Sequence, residues 1–139
     1  MDQILEQLKE RMERNLFAIY NHLELETVER DRVVVRMEIR PESKNPHGIV
    51  HGGALYTMAD NASGTAAHTD GRAYVTQHGS LNFLSNRQEG VLRAEARIRR
   101  RGRMTCLAAV DITDEAGVLL ATGEFSFFCV SETQNGADK

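Results

Sequence analysis

One stretch, residues 45–62 (NPHGIVHGGALYTMADNA), constrains what this chain can fold into more than any other part of the sequence. It joins a turn-like loop to a helix of small residues, with His51-Gly52-Gly53 at the junction and one carboxylate, Asp60, on the helix. The first turn of a helix leaves backbone N–H groups unpaired and partly positive, and glycines there let a ligand approach the backbone. Amide donors beside an acid suit attack on a polarised carbonyl group. The alternative is a plain glycine turn followed by a solvated aspartate.

The helical period predicts the direction in which Asp60 points. At 3.6 residues per turn, one arc of the helix carries only apolar residues and should face the core: Ala54, Leu55, Met58, Ala59, Ala62 and Ala66. Asp60 falls on the other side, with Gly53, Tyr56, Thr57 and Gly64. This second face carries little charge, so we expect Asp60 to be partly buried. Because glycine inside a helix costs roughly 1 kcal/mol relative to alanine, Gly64 indicates that another group approaches closely there.

Composition excludes several classes of protein. The chain has 139 residues, 41% of them hydrophobic and 27% charged, which is typical of one soluble domain. A net charge of −3 gives no general case for nucleic-acid binding, and no apolar run reaches the ~18 residues that a membrane span needs. Cys106 and Cys129 lie in strand-like runs without a CxxC motif, which favours buried, reduced thiols. We predict one cytoplasmic domain over residues 1–139, with a polar tail at 132–139.

The order of the predicted elements indicates the fold class. A helix over residues 2–14 has the apolar stripe Ile4, Leu5, Leu8, Met12 and Leu16, is interrupted at Asn15, and is followed by a short turn or helix at 17–20 whose Phe17 and Tyr20 we expect in the core or a pocket wall. Strands at 22–29 and 32–40 form a hairpin, a loop spans 41–48, and the long helix covers 53–69. Strands follow at 73–84, 91–101, 104–113 and 118–130. Hairpin-connected strands predict an antiparallel sheet with helices on one face, the α+β class.

A family resemblance enters at the glycine-rich junction. The pattern Asn45-x-x-Gly48-x-x-His51-Gly52-Gly53, with Asp60 nine residues after the histidine, resembles the PaaI-like acyl-CoA thioesterases of the hotdog fold. Residues 75–84 (VTQHGSLNFL), Gly90 and a strand ending at Arg101-x-Arg103 extend the similarity over roughly residues 20–130. The resemblance implies a long central helix wrapped by a curved antiparallel sheet of about six strands, with an N-terminal helix in front. It further implies an acyl-CoA substrate, no cofactor, and a homodimer, often paired into a homotetramer.

The resemblance also implies a role for each matching residue. In this family the sites lie at the dimer interface, with the acid from one subunit and the loop and helix N-terminus from the other. Asp60 would be the general base or nucleophile, the Gly52 N–H would polarise the thioester carbonyl, Asn45 would orient water or the carboxylate, and His51 would hold the loop or touch the thioester. The polar partner of the acid is one of Thr76, Gln77 and Ser80. Further candidates for substrate contact are Gly53, Tyr56, Arg101 and Arg103, and we expect Tyr56 and the N-terminal segment to shape the acyl pocket.

One distance argues for a shared site without any reference to the family. Gly52 and Asp60 are eight residues apart, which is about 12 Å of rise along a helix. The amide and the acid of one chain therefore cannot both touch one thioester carbon. A second copy of the stretch is required.

Several alternatives remain open at this stage. His47 and His51 have a spacing compatible with two metal ligands, but the glycines beside them argue against the helical geometry this needs, and we predict no metal. A hotdog hydratase or dehydratase acting on acyl thioesters is the first alternative function, and a non-catalytic acyl-CoA-binding protein is the second. The basic cluster at residues 97–103 is either a solvated sheet edge or a contact to the phosphates of CoA.

Overall fold

The computed structural model describes residues 2–132, and the predicted element order is correct within them. The helices are α1 (Asp2–Arg14), α2 (Leu16–Tyr20) and α3 (Gly52–Ala67), with single 3-10 turns at Pro41–Ser43 and His68–Asp70. The strands are β1 (Leu23–Glu29), β2 (Arg32–Glu38), β3 (Ala73–Phe83), β4 (Val91–Arg101), β5 (Thr105–Thr113) and β6 (Leu119–Ser131). The tail predicted for residues 132–139 lies outside the described residues, except for Glu132. No helix of residues 2–132 is long and apolar enough to cross a membrane.

The six strands form one antiparallel sheet in the order β1-β2-β4-β5-β6-β3. Between β2 and β3 the chain passes through α3, which carries it from one side of the sheet to the opposite edge. The helix α3 contacts every strand of the sheet. Six strands spaced about 4.8 Å apart span roughly 24 Å, whereas a helix is only about 10 Å wide. The sheet must therefore curve around α3.

Small residues let α3 lie close to the sheet. All six members of the predicted apolar arc are buried, five of them completely. At Gly64 the close approach predicted from the sequence is confirmed, because the ring of Phe127 lies 3.4 Å from where a Cβ atom would stand. Cys106 and Cys129 are buried and form no disulfide.

The N-terminal stripe continues less far than its spacing predicted. Leu8 is buried, but Leu16 is 74% exposed, so its assignment to the stripe was wrong. The reason is local: α1 ends at Arg14, and the Asn15 side chain accepts a hydrogen bond from the Ala18 N–H and starts a new helix with a different direction. Tyr20 is also 73% exposed and lies outside the core.

Arg101 holds the C-terminal end of α3. Its guanidinium donates to the carbonyl oxygens of Ala66 and Ala67, to Asp31 and to Asp70. The last carbonyl groups of a helix lack intrahelical partners, and a cation there is favourable. Burial alone would raise the pKa of Asp70, but hydrogen bonds from Tyr74 and Arg72 and the charge of Arg101 hold it below its usual value. This cluster joins the β1–β2 turn, the end of α3 and the start of β3.

Replacing Arg101 should destabilise the fold strongly. The Arg101 side chain is only 14% exposed and its partner Asp70 only 7%, so Arg101→Ala leaves a buried carboxylate without its cation. We expect a loss of about 3–5 kcal/mol in the free energy of unfolding, measured by urea denaturation. Arg99→Ala is the matched control on the same strand, since its ion pair with Glu124 is largely exposed and should contribute less than ~1 kcal/mol. Equal losses in the two variants would contradict this role.

Candidate active site

Asp60 lies half-buried on α3 and has one hydrogen-bonding side chain beside it. The hydroxyl of Thr76 on β3 donates to Asp60 Oδ1 at 2.8 Å. The structure thus selects Thr76 from the three candidates of the sequence analysis. Gln77 and Ser80 are both exposed and have no printed contact with the acid.

A β-bulge explains why the sequence could not make this choice. In the β3–β6 ladder Thr76 pairs with Phe127 and His78 with Ser126, so Gln77 is the extra residue. Side chains alternate between the two faces of a regular strand, and a bulge breaks that alternation. Thr76 therefore reaches α3, whereas an unbroken strand gives no means of choosing among neighbouring polar residues.

Burial tunes the acid. Desolvation raises the pKa of Asp60 above its ordinary value, and the hydrogen bond from Thr76 opposes part of this rise. Thr76 binds Oδ1, and no described residue donates to Oδ2. A carboxylate with one oxygen held, one oxygen open and a raised pKa is a stronger base than a surface aspartate.

The N-terminus of α3 offers one unpaired amide. His51 is the N-cap residue, and its Nδ1 accepts a hydrogen bond from the Gly53 N–H at 2.8 Å. The His51 carbonyl accepts from Ala54 and Leu55. In the first turn of α3, the Gly52 N–H is the one donor left without a partner among residues 2–132. Because Nδ1 accepts, His51 is neutral with its proton on Nε2.

The loop before α3 is closed by Asn45. Its Oδ1 accepts from the His47 N–H, and its backbone bonds both Ile49 and Gly48, which has a left-handed φ of 81°. The predicted residues thus form two groups: Asn45, His51, Gly52 and Gly53 at the helix start, and Asp60 with Thr76 two turns further on. Among residues 2–132, no group of three or more His, Cys, Asp or Glu side chains is arranged to hold a metal ion.

Tyr56 lies between these two groups. Its ring meets Phe125 edge to face at 5.1 Å. A Cβ atom at Gly79 would come within 2.5 Å of both the Tyr56 hydroxyl and the Phe125 ring, so this glycine of β3 is required for Tyr56 to lie over the strand. The sequence analysis gave no role to Gly79, although a glycine inside a strand signals a close approach of another group.

A cavity of about 470 Å³ opens beside Asp60, between α3 and the two N-terminal helices. It is lined by Tyr56, Thr57, Asp60, Asn61, Gly64, Thr65 and His68 of α3, by Leu8, Arg11, Met12, Asn15, Phe17 and Ala18, and by Tyr74, Val75, Thr76 and Phe127. Burial lowers the pKa of His68 to about 4; its Nδ1 lies 2.6 Å from the Gly64 carbonyl and its Nε2 accepts from Tyr74. His68 is thus a neutral wall of the cavity.

The expectation that Arg101 contacts substrate is corrected by its position inside the fold. All its hydrogen bonds go to the cluster at the end of α3. Arg103 is exposed at the β4–β5 turn, where its carbonyl accepts from Arg72. Neither arginine reaches Asp60 or Thr76 in any described contact.

The profile of the Thioesterase superfamily matches residues 47–121, which is more than half of the chain. The chain belongs to this superfamily. The solved structure of Escherichia coli PaaI superposes with a TM-score of 0.87 over 94% of this chain and 96% of that chain, at 24% identity. This similarity confirms the predicted hotdog fold.

Sequence relatives agree with the PaaI-like prediction. The acyl-coenzyme A thioesterase PaaI of Escherichia coli is 31% identical over 83 residues, 59% of each chain. The 1,4-dihydroxy-2-naphthoyl-CoA hydrolase of Listeria monocytogenes is 29% identical over 101 residues, 70% of this chain and 82% of that protein. The present protein is a PaaI-like hotdog thioesterase, and so a thioester hydrolase.

Solved structures of one relative contain informative features. A hypothetical thioesterase protein of Streptococcus pneumoniae, solved with coenzyme A, is 31% identical and has a TM-score of 0.77 over 81% of this chain and 91% of its own. Two variant structures of that protein carry alanine in place of one threonine or of one aspartate. Both variants are 31% identical to this chain with a TM-score of 0.75, over 78% of this chain and 90% or 91% of theirs.

Removing the Thr76 hydroxyl should raise the pKa of Asp60 further, because this hydrogen bond is the interaction that lowers it. In Thr76→Val, the titration of the Asp60 carboxyl carbon, followed by NMR, should move to higher pH than in the wild type. Thr57→Val is the matched control, since the Thr57 hydroxyl bonds the Gly53 carbonyl instead, and should leave the pKa unmoved. A Thr76→Val titration identical to the wild type would refute the coupling.

Proposed function

We propose that this thioesterase hydrolyses acyl-CoA at a site shared between two copies of the chain, with Asp60 of one copy and the Gly52 N–H of the other. The observation that carries the proposal is the separation of these groups on one rigid helix. Eight residues of α3 put the open amide about 12 Å from the acid. Each copy therefore holds both halves of a site but cannot assemble them alone.

The chemistry follows from the two groups. As a general base, Asp60 takes a proton from water through its open Oδ2 while the water oxygen attacks the thioester carbon. The oxyanion that forms accepts a hydrogen bond from the Gly52 N–H. The C–S bond then breaks, and the CoA thiolate leaves and takes up the proton. As a nucleophile, Asp60 would instead form a mixed anhydride that water hydrolyses.

The edge strand β3 supports a specific pairing of the two copies. β3 is an outer strand of the sheet, and its Val75, Phe83 and the adjacent Leu84 are 51%, 54% and 58% exposed. An exposed apolar edge is a template for another strand. The Phe83 ring lies 3.6 Å from a Cβ position on Gly52, and Thr76 bonds Asp60.

The register of this pairing follows from those two contacts. If two β3 strands pair antiparallel about an axis between Gly79 and Ser80, Thr76 lies opposite Phe83 of the second copy. The Asp60 of one copy then meets the helix start of the other. A homotetramer built from two such pairs, which the family resemblance implies, stays a prediction.

The relatives favour CoA thioesters as substrates. The Escherichia coli and Listeria monocytogenes relatives are named as an acyl-CoA thioesterase and a CoA hydrolase, and the Streptococcus pneumoniae relative was solved with coenzyme A. The aspartate and threonine changed to alanine in its variants are sixteen positions apart, the same separation as that between Asp60 and Thr76. This equality supports an acid–threonine pair in both proteins.

Asp60→Asn should abolish turnover without weakening the fold. We expect release of free CoA thiol from acyl-CoA to fall about 100-fold or more, the scale of lost base catalysis. Since burial raises the pKa of Asp60, the ionised form is destabilising above the pKa of the unfolded chain. The neutral amide removes that penalty, so the thermal midpoint at neutral pH should equal or exceed that of the wild type. Turnover near the wild-type value would sink the catalytic role, and a lower midpoint would contradict the electrostatic argument.

Gly52→Pro should remove the oxyanion donor with little change in structure. Gly52 is the first residue of α3, where proline fits and its missing N–H is not needed by the helix. His51 has φ −63° and ψ 134°, the extended conformation preferred before proline. We expect kcat to fall about 100-fold or more. Gly52→Ala keeps the N–H, its Cβ atom has ordinary contacts, and it should retain most activity.

Mixing the two inactive variants tests whether the site is shared. A mixed dimer of Asp60→Asn and Gly52→Pro chains has one site lacking both groups and one site with both. Random reassociation of refolded chains should therefore restore about a quarter of the wild-type activity, given two sites related by a two-fold axis. If each chain carries its own complete site, the mixture stays inactive.

A further inference from the structure

Two cavities flank the side chain of Met12. The first, which we call the acid cavity, is the 470 Å³ space that contains Asp60. The second, the outer cavity, measures about 300 Å³ and is lined by Lys9, Met12, Glu13, Ile19, Leu23, Glu24 and Leu25. Met12 is the one residue that lines both. Its side chain is therefore the partition between them.

Met12 faces the reacting part of the acid cavity. The Asn61 Nδ2 donates to Met12 Sδ at 3.9 Å, and Asn61 follows Asp60 on α3. The open side of the cavity has the exposed Phe17 and Val75, whereas its other end has the buried Leu8 and Tyr74. An acyl group whose thioester carbon sits at Asp60 thus extends past Met12 inside the cavity.

The partition is held weakly. A thioether sulfur is a poor hydrogen-bond acceptor, and 3.9 Å is long even for sulfur. Asn61 is not locked either, because its buried Oδ1 has no hydrogen-bond partner among residues 2–132. Methionine has three rotatable bonds and adapts to irregular spaces. The bulk of the Met12 side chain, and not a rigid polar contact, is what separates the two cavities.

The outer cavity suits hydrocarbon. Ile19, Leu23 and Leu25 give it an aliphatic wall, while Lys9, Glu13 and Glu24 add charged side chains. Methylene groups gain free energy when they leave water for such a wall. Polar acyl substituents would lose hydration there without a matching partner.

We propose that Met12 is the specificity-determining residue for acyl length: it ends the space available to the acyl group, and the outer cavity behind it admits longer chains only when Met12 is made smaller. This inference rests on the proposed acyl-CoA hydrolase function. It assigns to α1 a role in substrate choice in addition to covering the cavity.

The test compares straight-chain substrates from acetyl-CoA to palmitoyl-CoA. In the wild type, kcat/KM should fall beyond a limiting length. In Met12→Ala that limit should move to longer chains, with the ratio of long-chain to short-chain kcat/KM rising about 10-fold or more. Met12→Leu conserves the volume and should keep the wild-type limit. An unchanged length profile in Met12→Ala would overturn the proposal; if that variant does not fold, Met12→Val tests the same wall.

Ile19→Arg provides a second, independent test. Ile19 is 47% exposed and lines the outer cavity but not the acid cavity. In the wild type, this substitution should leave the length profile unchanged, because the acyl group does not reach it. In Met12→Ala it should cancel the gain for long chains. A long-chain gain that survives Ile19→Arg would contradict entry into the outer cavity.

Binding separates this inference from the proposed function. The Kd of each acyl-CoA is measured by calorimetry for Asp60→Asn, with and without Met12→Ala, where turnover plays no part. Length-dependent binding shifted by Met12→Ala, with no hydrolysis by the wild type, would refute the proposed function alone. Hydrolysis with an unshifted profile would refute the role of Met12 alone, and no binding of any acyl-CoA would overturn both.

Discussion

The close packing of α3 against the sheet is the constraint on which the other features depend. Its core face consists mostly of alanines, so the helix axis can approach the strands closely, and all six strands can reach it only by curving around it. The same face forces Asp60 to the opposite side of the helix, where the covering groups are β3 and the N-terminal helices. The acid is thus half-buried because a helix with an alanine face lies inside a curved sheet. Thr76 meets it because β3 is the strand that borders that side.

Rigidity of α3 then becomes a constraint on the site. Its N-terminus presents the Gly52 N–H, with the neighbouring Gly53 N–H already bound by the N-cap His51, and its middle presents Asp60. Its far end is held by Arg101 through the last carbonyl groups and two carboxylates. A helix held in this way does not bend to bring its own amide to its own acid. The pairing of two β3 edges, which the proposed function requires, is the arrangement that joins the two halves without deforming either copy.

Several positions sacrifice local stability for the site. Burial of Asp60 disfavours its charged form, Gly64 weakens the interior of α3, and Gly79 weakens β3. Each of these is offset by the packing of Phe125, Phe127 and Tyr56, which fill the spaces that the glycines leave. The weak contact between Asn61 and Met12 belongs to the same pattern, since the lining of the acid cavity depends on bulk and shape where the rest of the core has tight contacts.

Periodicity in the sequence was sufficient for the order of helices and strands, the buried arc of α3, the helix start at the His-Gly-Gly junction and the face on which Asp60 lies. These follow from local rules, because helical and strand periods repeat within one element. Tertiary structure alone decided the choice of Thr76 over Gln77 and Ser80, since a bulge breaks the alternation of β3 without a mark in its residue types. It also turned Arg101 inward, left Leu16 and Tyr20 exposed, and brought Met12 and Asn61 across a cavity from each other. These contacts join residues far apart in the chain, and a period says which face of an element is apolar but not which other element will cover it.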